Sequence, residues 1–268
     1  MVKAKKRTFG VSWLVGLAIF MGVIGWMFVD IMSREGIFKQ SNNYLVMGTN
    51  AGFKPFEYQE NGKIVGFDVD LAQEIAKELG RELKISDMAF DGLLPALSSG
   101  QVDMVVAGMT ATDDRRANAL FSDAYFTASQ RIIVKKDSEI RNKYQLSGHK
   151  IGVQLGTTGD MLASKIENTS ISQFPNAPSV LQELSAGGVD AVILDDAPAS
   201  QYVENFHNLE ILAGGLSNED YAIAIKKYNQ KLLDQVNEAL EKIRADGRYR
   251  DLVVKYFGEQ VARELEAK

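Results

Sequence analysis

Short apolar segments alternate with amphipathic ones along most of the chain, and this alternation restricts the folds open to it. From Tyr44 onward, an apolar segment of strand length is followed by a helical pattern at 66–80. Two further strand patterns, at 82–88 and 102–109, enclose a helical pattern at 92–100. This strand–helix–strand–helix–strand order predicts a parallel sheet with helices packed against it.

The same order restarts in the second half of the chain, which predicts a second α/β unit. The predicted elements are strands at 150–156, 171–175, 189–196, 209–214 and 221–227, and helices at 158–168, 177–188, 197–206, 229–246 and 247–258. An apolar segment at 131–136 joins the two units. The two late helices follow the second unit and are available to pack back on the first.

Composition and charge limit the partners of the chain. Of its 268 residues, 24% are charged and 46% are hydrophobic, as in a folded globular protein. There is no cysteine, which excludes disulfides and thiol nucleophiles. Residues 1–43 hold six of the 30 basic and two of the 35 acidic residues, which leaves a net charge of −9 for 44–268. Nucleic acid is therefore not expected as a partner.

The first 43 residues differ from the rest of the chain. Four basic residues within 3–7 precede an uncharged run at 8–29. As a helix this run would be about 33 Å long, enough to cross a bilayer, with the basic end inside the cell. A cleaved signal peptide and a buried soluble helix are the alternatives, but the run is long for a signal peptide and no Ala-x-Ala pattern follows it. Residues 31–43 are predicted to be a polar tether.

Five loops follow the predicted strands, at the edge where open α/β sheets bind ligands. They span 50–56, 89–92, 107–115, 154–160 and 194–198. Together they carry the polar and aromatic residues that a small-molecule site needs. The sequence therefore predicts that these loops converge on one binding site.

The loop at 107–115 contains an arginine in an unusual place. Thr112 is a predicted helix N-cap, with Asp113 and Asp114 in the first turn, so Arg115 is the third helical residue. Helix N-termini disfavour cations. This placement suggests that Arg115 serves a ligand carboxylate, held jointly by the guanidinium and free backbone N–H groups. Taken alone, the residue could instead form a surface ion pair with a neighbouring aspartate.

Six sequence blocks occur in a fixed order along 44–258. They are GTNAGFKPFEY, GKIVGFDVDLAQEIA, FDGLLPALSSGQVDMVVAGMTATDDR, FSDAYF, IGVQLGTTGD and VDAVILDDAPA. In this combination the chain resembles the extracellular solute-binding proteins for polar amino acids, which are the receptors of ABC importers. The resemblance rests on the whole set of blocks and not on one motif.

The resemblance implies an α/β, two-lobe, periplasmic-binding-protein-like fold, here preceded by an N-terminal transmembrane helix. Two crossover strands, near 127–133 and 215–221, would join lobes that close on the ligand. The implied domains are 1–43 as membrane anchor (or signal peptide) and tether, 44–129 plus 219–268 as lobe 1, and 130–218 as lobe 2. A monomer is implied, in the periplasm or at the outer face of the cytoplasmic membrane.

The resemblance also assigns contacts to the main-chain groups of a free L-amino acid. Arg115 would pair with the α-carboxylate and Asp196 with the α-ammonium group. Gly108, Thr110 and Thr158 occupy positions that supply backbone and hydroxyl contacts. A guanidinium suits a carboxylate because the two can form a bidentate pair.

The ligand side chain would lie between Phe53 and Phe90, and two flat rings suit a guanidinium. Asp195 adds a carboxylate, while Asn50 and Gln154 offer amides. A basic ligand, arginine first, is favoured. The alternative is a neutral polar amino acid such as glutamine or histidine, because relatives that take basic ligands often have aspartate where this chain has Asn50.

Twelve residues make up the candidate ligand site. They are Asn50, Phe53, Phe90, Gly108, Met109, Thr110, Arg115, Gln154, Thr157, Thr158, Asp195 and Asp196. The neighbouring Glu57 could reach the rim of the pocket, but a surface position is favoured. Neither a metal nor a cofactor is expected, because the two histidines lack ligand-like spacing.

The resulting function is that of a binding protein, not an enzyme, which delivers its ligand to ABC permease subunits. A dehydratase-like enzyme of the same fold is a weaker alternative. Such enzymes keep the arginine but do not need the α-ammonium aspartate, and no acid–base pair is evident. An external sensor domain is a third alternative, which would need a signalling partner.

Overall fold

Two five-stranded sheets, each covered by helices, form the framework of the protein. The computed structural model describes residues 43–266. The strands are β1 (Tyr44–Thr49), β2 (Gly52–Phe53), β3 (Glu57–Glu60), β4 (Lys63–Val65), β5 (Glu82–Asp87), β6 (Met104–Val105), β7 (Ala119–Phe121), β8 (Phe126–Ala128), β9 (Gln130–Lys135), β10 (Lys150–Gln154), β11 (Ser170–Phe174), β12 (Ala191–Asp195), β13 (Leu209–Ile211), β14 (Glu219–Tyr221) and β15 (Ala224–Lys226). The helices are α1 (Phe67–Glu78), α2 (Leu93–Ser99), α3 (Asp113–Arg116), α4 (Thr158–Ala163), α5 (Ala177–Ala186), α6 (Asp196–Val203), α7 (Gln230–Ala245), α8 (Arg248–Phe257) and α9 (Glu259–Glu266), with 3₁₀ turns at Phe90–Gly92 and Lys143–Gln145.

The first sheet has the strand order β5-β1-β6-β15-β7. Strand β1 runs parallel to both β5 and β6, so Met47 pairs with Met104. Helix α1 covers this sheet with an apolar face that includes Leu71 and Ile75, both fully buried. The late helix α7 packs beside α1, and Arg248 at the start of α8 forms ion pairs with Glu74. The late helices therefore return to the first sheet.

The second sheet has the order β11-β10-β12-β9-β13. Strand β10 is parallel to β11 and β12. Helix α5 lies close to β10, and a Cβ added at Gly152 would be only 2.6 Å from the side chain of Val180. Glycine is thus the residue that permits this helix–sheet contact. Asn176 caps α5 through a side-chain hydrogen bond from the Ser179 N–H (3.0 Å).

The predicted parallel pairing is confirmed for β5, β1 and β6 and for β11, β10 and β12, but each sheet also contains antiparallel strands. Strand β15 is antiparallel to both its neighbours in the first sheet, and β9 is antiparallel to both of its neighbours in the second. Strands β9 and β15 each follow a strand of the connection between the two units, so they begin at the sheet edge where the parallel strands end. A strand that begins at this edge must run in the opposite direction to the parallel strands.

A two-stranded antiparallel ribbon connects the sheets. In this ribbon β8 pairs with β14, with Ala128 opposite Glu219 and Phe126 opposite Tyr221. The predicted boundaries between 129 and 130 and between 218 and 219 fall at this ribbon. We refer to residues 44–129 plus 219–266 as lobe 1 and to residues 130–218 as lobe 2.

Aromatic rings pack together where the ribbon meets lobe 1. Phe56 lies 5.0 Å from Phe126 and 5.2 Å from Tyr221, measured between ring centroids. Phe257, at the end of α8, lies 4.7 Å from Phe126 and 5.3 Å from Phe67. Such pairs add to the stability gained from burial. The cluster therefore fixes both strand β14 and the C-terminal helices to lobe 1.

Two parts of lobe 1 were not predicted. Strands β2, β3 and β4 form a small sheet, which begins within the loop predicted at 50–56. Asn61 and Gly62, with φ of 50° and 75°, connect β3 and β4, and Asn-Gly is a strong hairpin signal. Helix α9 follows Gly258 at the end of α8 and was also not predicted.

The membrane span predicted at 8–29 lies outside the described residues. Within 43–266, no helix has both the length and the apolar character needed to cross a bilayer. The core described here lies entirely within the unit that begins at Tyr44.

Replacing Gly152 with alanine should destabilise the protein by about 1–3 kcal/mol, because the new methyl group would overlap Val180. Thermal and urea unfolding of residues 43–268 would measure the change. Gly92→Ala is the matched control, since no atom lies within 4 Å of the added Cβ and its φ is −80°. It should change the free energy of unfolding by less than about 0.5 kcal/mol. Equal effects would contradict the packing argument.

Candidate functional site

A small cavity of only about 10 Å³ lies between the two lobes. Its walls are formed by Asn50, Phe53, Glu57, Phe90, Ala107, Gly108, Thr110, Arg115, Gln154, Thr157, Thr158 and Asp195. All five predicted loops contribute to this lining, and ten of the twelve candidate residues are among it. This volume is far below the roughly 300–1,000 Å³ of typical small-molecule sites.

Arg115 lies where the capping pattern placed it. The Thr112 hydroxyl accepts a hydrogen bond from the Arg115 N–H (3.3 Å), and Arg115 is the third residue of α3. Its guanidinium donates to the carbonyl oxygens of Thr110 (2.8 Å) and Gly156 (3.0 Å). It also lies 5.3 Å from the ring centroid of Phe90. The guanidinium is thus held by lobe 1 and lobe 2 at the same time.

The charge of Arg115 has no carboxylate partner of its own. The side chain is only 6% exposed, and no ion pair connects it to an acidic residue among the described residues. Burial lowers its pKa, and the charges of Glu219 and Asp195 partly oppose this. A buried cation of this kind favours an anionic group in the cavity.

Asp195 is the acidic counterpart in the cavity. Its Oδ1 accepts a hydrogen bond from the Tyr221 hydroxyl (2.5 Å) and its Oδ2 from the Gln130 side-chain amide (2.8 Å). The same amide donates to the hydroxyl of Thr158 (3.1 Å). Burial raises the pKa of Asp195 to about 7, although both hydrogen bonds to the carboxylate lower it. The carboxyl is therefore fixed in position and titrates near neutrality.

Asp196 does not line the cavity, contrary to the sequence prediction. It is the first residue of α6, and its carboxylate accepts a hydrogen bond from the Ala197 N–H (2.9 Å). Successive side chains at a strand end point to opposite sides, so a shift of one residue exchanges the two aspartates. Asp195, opposite Gln130 on β9, has the inward position.

Met109 also does not line the cavity. Its side chain is buried in the apolar cluster of lobe 1 that contains Leu93 and Leu97. Its carbonyl accepts a hydrogen bond from the Ala222 N–H. This contact holds the loop before Arg115 against lobe 1.

The remaining candidates are tied to each other across the cavity. The Gln154 amide of lobe 2 donates to the Asn50 side chain of lobe 1 (2.9 Å), and Asn50 donates to the Met88 carbonyl (2.7 Å). The ring of Phe53 lies on Gly108, which has φ of 52°, and an added Cβ there would be 2.8 Å from the ring. The lobes therefore meet closely around the cavity.

Two threonines serve mainly to hold the loops. Thr110 donates through its hydroxyl to the buried Glu219 carboxylate (2.7 Å). Thr157 is the N-cap of α4, where its hydroxyl accepts from the Asp160 N–H (3.3 Å). Both hydroxyl groups border the cavity while also making these internal contacts.

Glu57 and Ala107 line the cavity but were not in the candidate set. The expectation that Glu57 lies at the surface is wrong, since the side chain is 1% exposed. In the hairpin of β2 and β3, Glu57 is directly opposite Phe53, so both side chains lie on the same face. Without the hairpin, a lone glutamate is normally placed at the surface. The Asn-Gly turn at 61–62 could have predicted strand β3, but not its pairing with β2.

The chain matches the model of a known protein family. The family model for bacterial extracellular solute-binding proteins, family 3, matches residues 45–259. The chain belongs to this family. Its members are solute-binding proteins, so the chain is a binding protein and not an enzyme.

Individual relatives agree with this assignment. The chain is 37% identical over 219 residues to the arginine-binding extracellular protein ArtP of Bacillus subtilis (strain 168), covering 80% of this chain and 86% of that protein. It is 36% identical over 222 residues to a probable histidine-binding protein of Neisseria gonorrhoeae, covering 80% and 83%. A crystal structure of a mutant of ArgBP from T. maritima has a TM-score of 0.79 at 45% identity, covering 82% and 97%. This similarity confirms the two-lobe α/β fold.

The unliganded protein should lose stability as the pH rises from about 4 to 7. Asp195 has a pKa near 7 and Asp68, also fully buried, has one near 6, both raised by burial. The folded state therefore binds more protons than the unfolded state in this range, and each group contributes a slope of up to about 1.4 kcal/mol per pH unit. Urea unfolding at several pH values would measure the slope. Asp195→Asn should flatten it between pH 5 and 7, and an unchanged slope would argue against a raised pKa.

Proposed function

We propose that the protein captures a free L-amino acid outside the cytoplasmic membrane and delivers it to the permease subunits of an ABC importer. One observation carries the proposal: a single enclosed cavity contains a buried guanidinium and a buried carboxyl group. An amino-acid zwitterion presents the two complementary charges on adjacent groups. Family membership and the relatives named for arginine and histidine support the same class of ligand.

Arg115 is the proposed partner of the α-carboxylate. Its two hydrogen bonds to the carbonyls of Thr110 and Gly156 use two of the five guanidinium N–H donors. The remaining donors are available to a ligand carboxylate. Backbone groups near Gly108 and the hydroxyl groups of Thr110 and Thr158 would complete the contacts to the ligand main chain.

Asp195, and not Asp196, is the proposed partner of the α-ammonium group. Its carboxylate oxygens already accept hydrogen bonds from Tyr221 and Gln130, which fix their position. Each carboxylate oxygen has a second lone pair that can accept from an ammonium N–H. A cation at this site would favour the ionised form of the carboxyl group and lower its raised pKa.

The ligand is proposed to have a basic side chain, with arginine favoured. Phe53 and Phe90 border the space for this side chain, and Asn50 and Gln154 supply amide groups. One face of Phe90 is already turned to Arg115, and the ring of Phe53 stacks on that of Phe56. A neutral polar ligand such as glutamine or histidine is the alternative, with the same receptor role.

Lobe closure would provide selectivity. Contacts such as the Arg115–Gly156 and Gln154–Asn50 hydrogen bonds form only when the lobes meet. Closing the cavity removes Arg115 and Asp195 from water, which is costly unless a ligand pairs with both. A ligand that satisfies both groups therefore stabilises the closed form more than others do.

Isothermal titration calorimetry on residues 43–268, freed of bound ligand by unfolding and refolding, tests the proposal. Arginine, lysine, histidine, glutamine and glutamate form the panel, and at least one should bind tightly. Arg115→Ala should weaken that binding by at least about 30-fold, since it removes the partner of a buried charge. Asp195→Asn should also weaken it. The matched controls Arg116→Ala and Asp196→Asn should change affinity less than about threefold. Equal loss in the controls, or no binding to any amino acid, would contradict the proposal.

An N-terminal anchor is proposed from the uncharged run at 8–29 and the basic residues that precede it. A monomer attached in this way would work at the outer face of the membrane. Expression of the full chain, followed by membrane fractionation and intact-mass measurement, tests this. We expect an uncleaved chain in the membrane fraction. A shortened chain released in soluble form would identify the segment as a signal peptide instead.

A further inference from the structure

A second cavity, of about 310 Å³, lies within lobe 1 and shares no lining residue with the cavity between the lobes. It is bordered by strand β8, by the two residues before this strand, and by the C-terminal helices α7, α8 and α9. We refer to it as the lobe 1 cavity. Its volume is within the range of small-molecule sites, and the amino-acid function proposed above makes no use of it.

Much of the lining of the lobe 1 cavity is apolar. Phe126 of β8 and Val253 of α8 are both buried and border it, and Ala262 and Leu265 of α9 border it as well. Phe126 also packs in the aromatic cluster of lobe 1, which fixes the position of its ring. Ala262 contributes only a methyl group, so no large side chain of α9 fills the space there. This lining suits a hydrocarbon chain, because burial of apolar surface is favourable without specific geometry.

Two arginines carry the formal charge of this lining. Arg244 of α7 and Arg250 of α8 border the cavity, and no acidic side chain in the described part of the chain does so. Arg250 forms an ion pair with Glu259 at the start of α9. The cavity therefore combines apolar walls with positive charge. This combination is complementary to a negatively charged group on an apolar body.

The charge of Arg244 is not matched by a carboxylate. Its guanidinium donates to the Ala124 carbonyl (2.7 Å) and lies 5.1 Å from the ring centroid of Tyr249, and no ion pair joins it to an acidic residue within 43–266. The Tyr249 hydroxyl donates in turn to the Tyr125 carbonyl. These contacts hold the guanidinium at the cavity wall. A guanidinium has five N–H donors, so donors remain for an anion.

We propose that the lobe 1 cavity is a second ligand site, which binds a monocarboxylate with an apolar tail, such as a medium-chain fatty acid. The carboxylate pairs with Arg244, and the tail lies against Phe126, Val253 and helix α9. One unmatched cation favours a group with a single negative charge, and a planar carboxylate can accept two parallel hydrogen bonds from a guanidinium. The site is independent of the amino-acid ligand, because neither Arg115 nor Asp195 takes part in it.

Octanoate, 1-octanol and acetate separate the two parts of the site, because octanol keeps only the tail and acetate only the charge. NMR chemical-shift titration of residues 43–268, which contain the whole described core, measures each affinity and locates the affected amides. Octanol should bind about fivefold more weakly than octanoate, since it lacks the ion pair. Acetate should not bind measurably. From butanoate to octanoate, affinity should rise by up to about fourfold per CH₂ group.

Arg244→Gln tests the proposed partner of the carboxylate. It should weaken octanoate binding about fivefold and leave octanol binding nearly unchanged. Lys242→Gln removes the same charge from the same helix and is the matched control, because Lys242 is 63% exposed and does not line the cavity. Ala262→Leu should weaken the binding of both octanoate and octanol, because the larger side chain occupies the space of the tail. Thermal unfolding would verify that the variants are folded.

Arg115→Ala distinguishes the two carboxylate sites of the protein. In the proposed function, Arg115 binds the carboxylate of an amino acid, so octanoate could bind there as well. We expect Arg115→Ala to weaken amino-acid binding and to leave octanoate binding nearly unchanged. Loss of octanoate binding in this variant, with none in Arg244→Gln, would assign the fatty acid to the cavity between the lobes and overturn the second site.

The remaining outcomes separate this inference from the receptor proposal. Equal affinity for octanoate and octanol, no effect of Arg244→Gln, or no binding of octanoate would overturn the second site and leave the receptor intact. A dimer in light scattering that Ala262→Leu disrupts would identify a second copy of the chain as the occupant, which also overturns it. Failure to bind any amino acid would contradict the proposed function alone.

Discussion

The buried guanidinium of Arg115 is the constraint on which the site depends. It is held by carbonyl groups from both lobes and has no anionic partner among the described residues. An uncompensated buried charge costs about 3–5 kcal/mol. In the proposed function, the closed arrangement is complete only when an anion enters the cavity. Ligand capture and lobe closure would then be one event, because the contact that joins the lobes also buries the charge that needs the ligand.

Two buried aspartates link the site to the scaffold. Asp68, in the first turn of α1, holds the Gly108 N–H and thereby the loop that leads to Arg115. Asp195 holds the hydroxyl of Tyr221, which lies in the ribbon between the lobes and within the aromatic cluster of lobe 1. The carboxyl group proposed to bind the ligand in lobe 2 is therefore hydrogen-bonded to the connection about which the lobes would move. A change in the ionisation of Asp195 would therefore affect both the cavity and the ribbon between the lobes.

Sequence reasoning placed some residues correctly and missed others for identifiable reasons. Thr112 and Arg115 were placed correctly because helix capping depends on a few neighbouring residues. The convergence of the five loops followed from parallel strands whose carboxyl ends lie at one edge of each sheet. The choice between Asp195 and Asp196 depended on strand register, which changes the facing side chain with every residue. The inward position of Glu57 depended on the pairing of β3 with β2. The direction of the antiparallel strands depended on where the chain re-enters each lobe.

The charged groups of the cavity differ in the free-energy cost of closing around a ligand that leaves them without a partner. A carboxyl group without a partner can take up a proton and become neutral, and the raised pKa values of Asp195 and Glu57 show that burial already favours this. A guanidinium has no such option, since even a lowered pKa leaves it charged near neutral pH. Absence of the ligand's carboxylate should therefore be penalised more severely than absence of its ammonium group or of a basic side chain. For the proposed amino-acid ligand, recognition of the α-carboxylate would be strict, while the preference for a side chain would be graded.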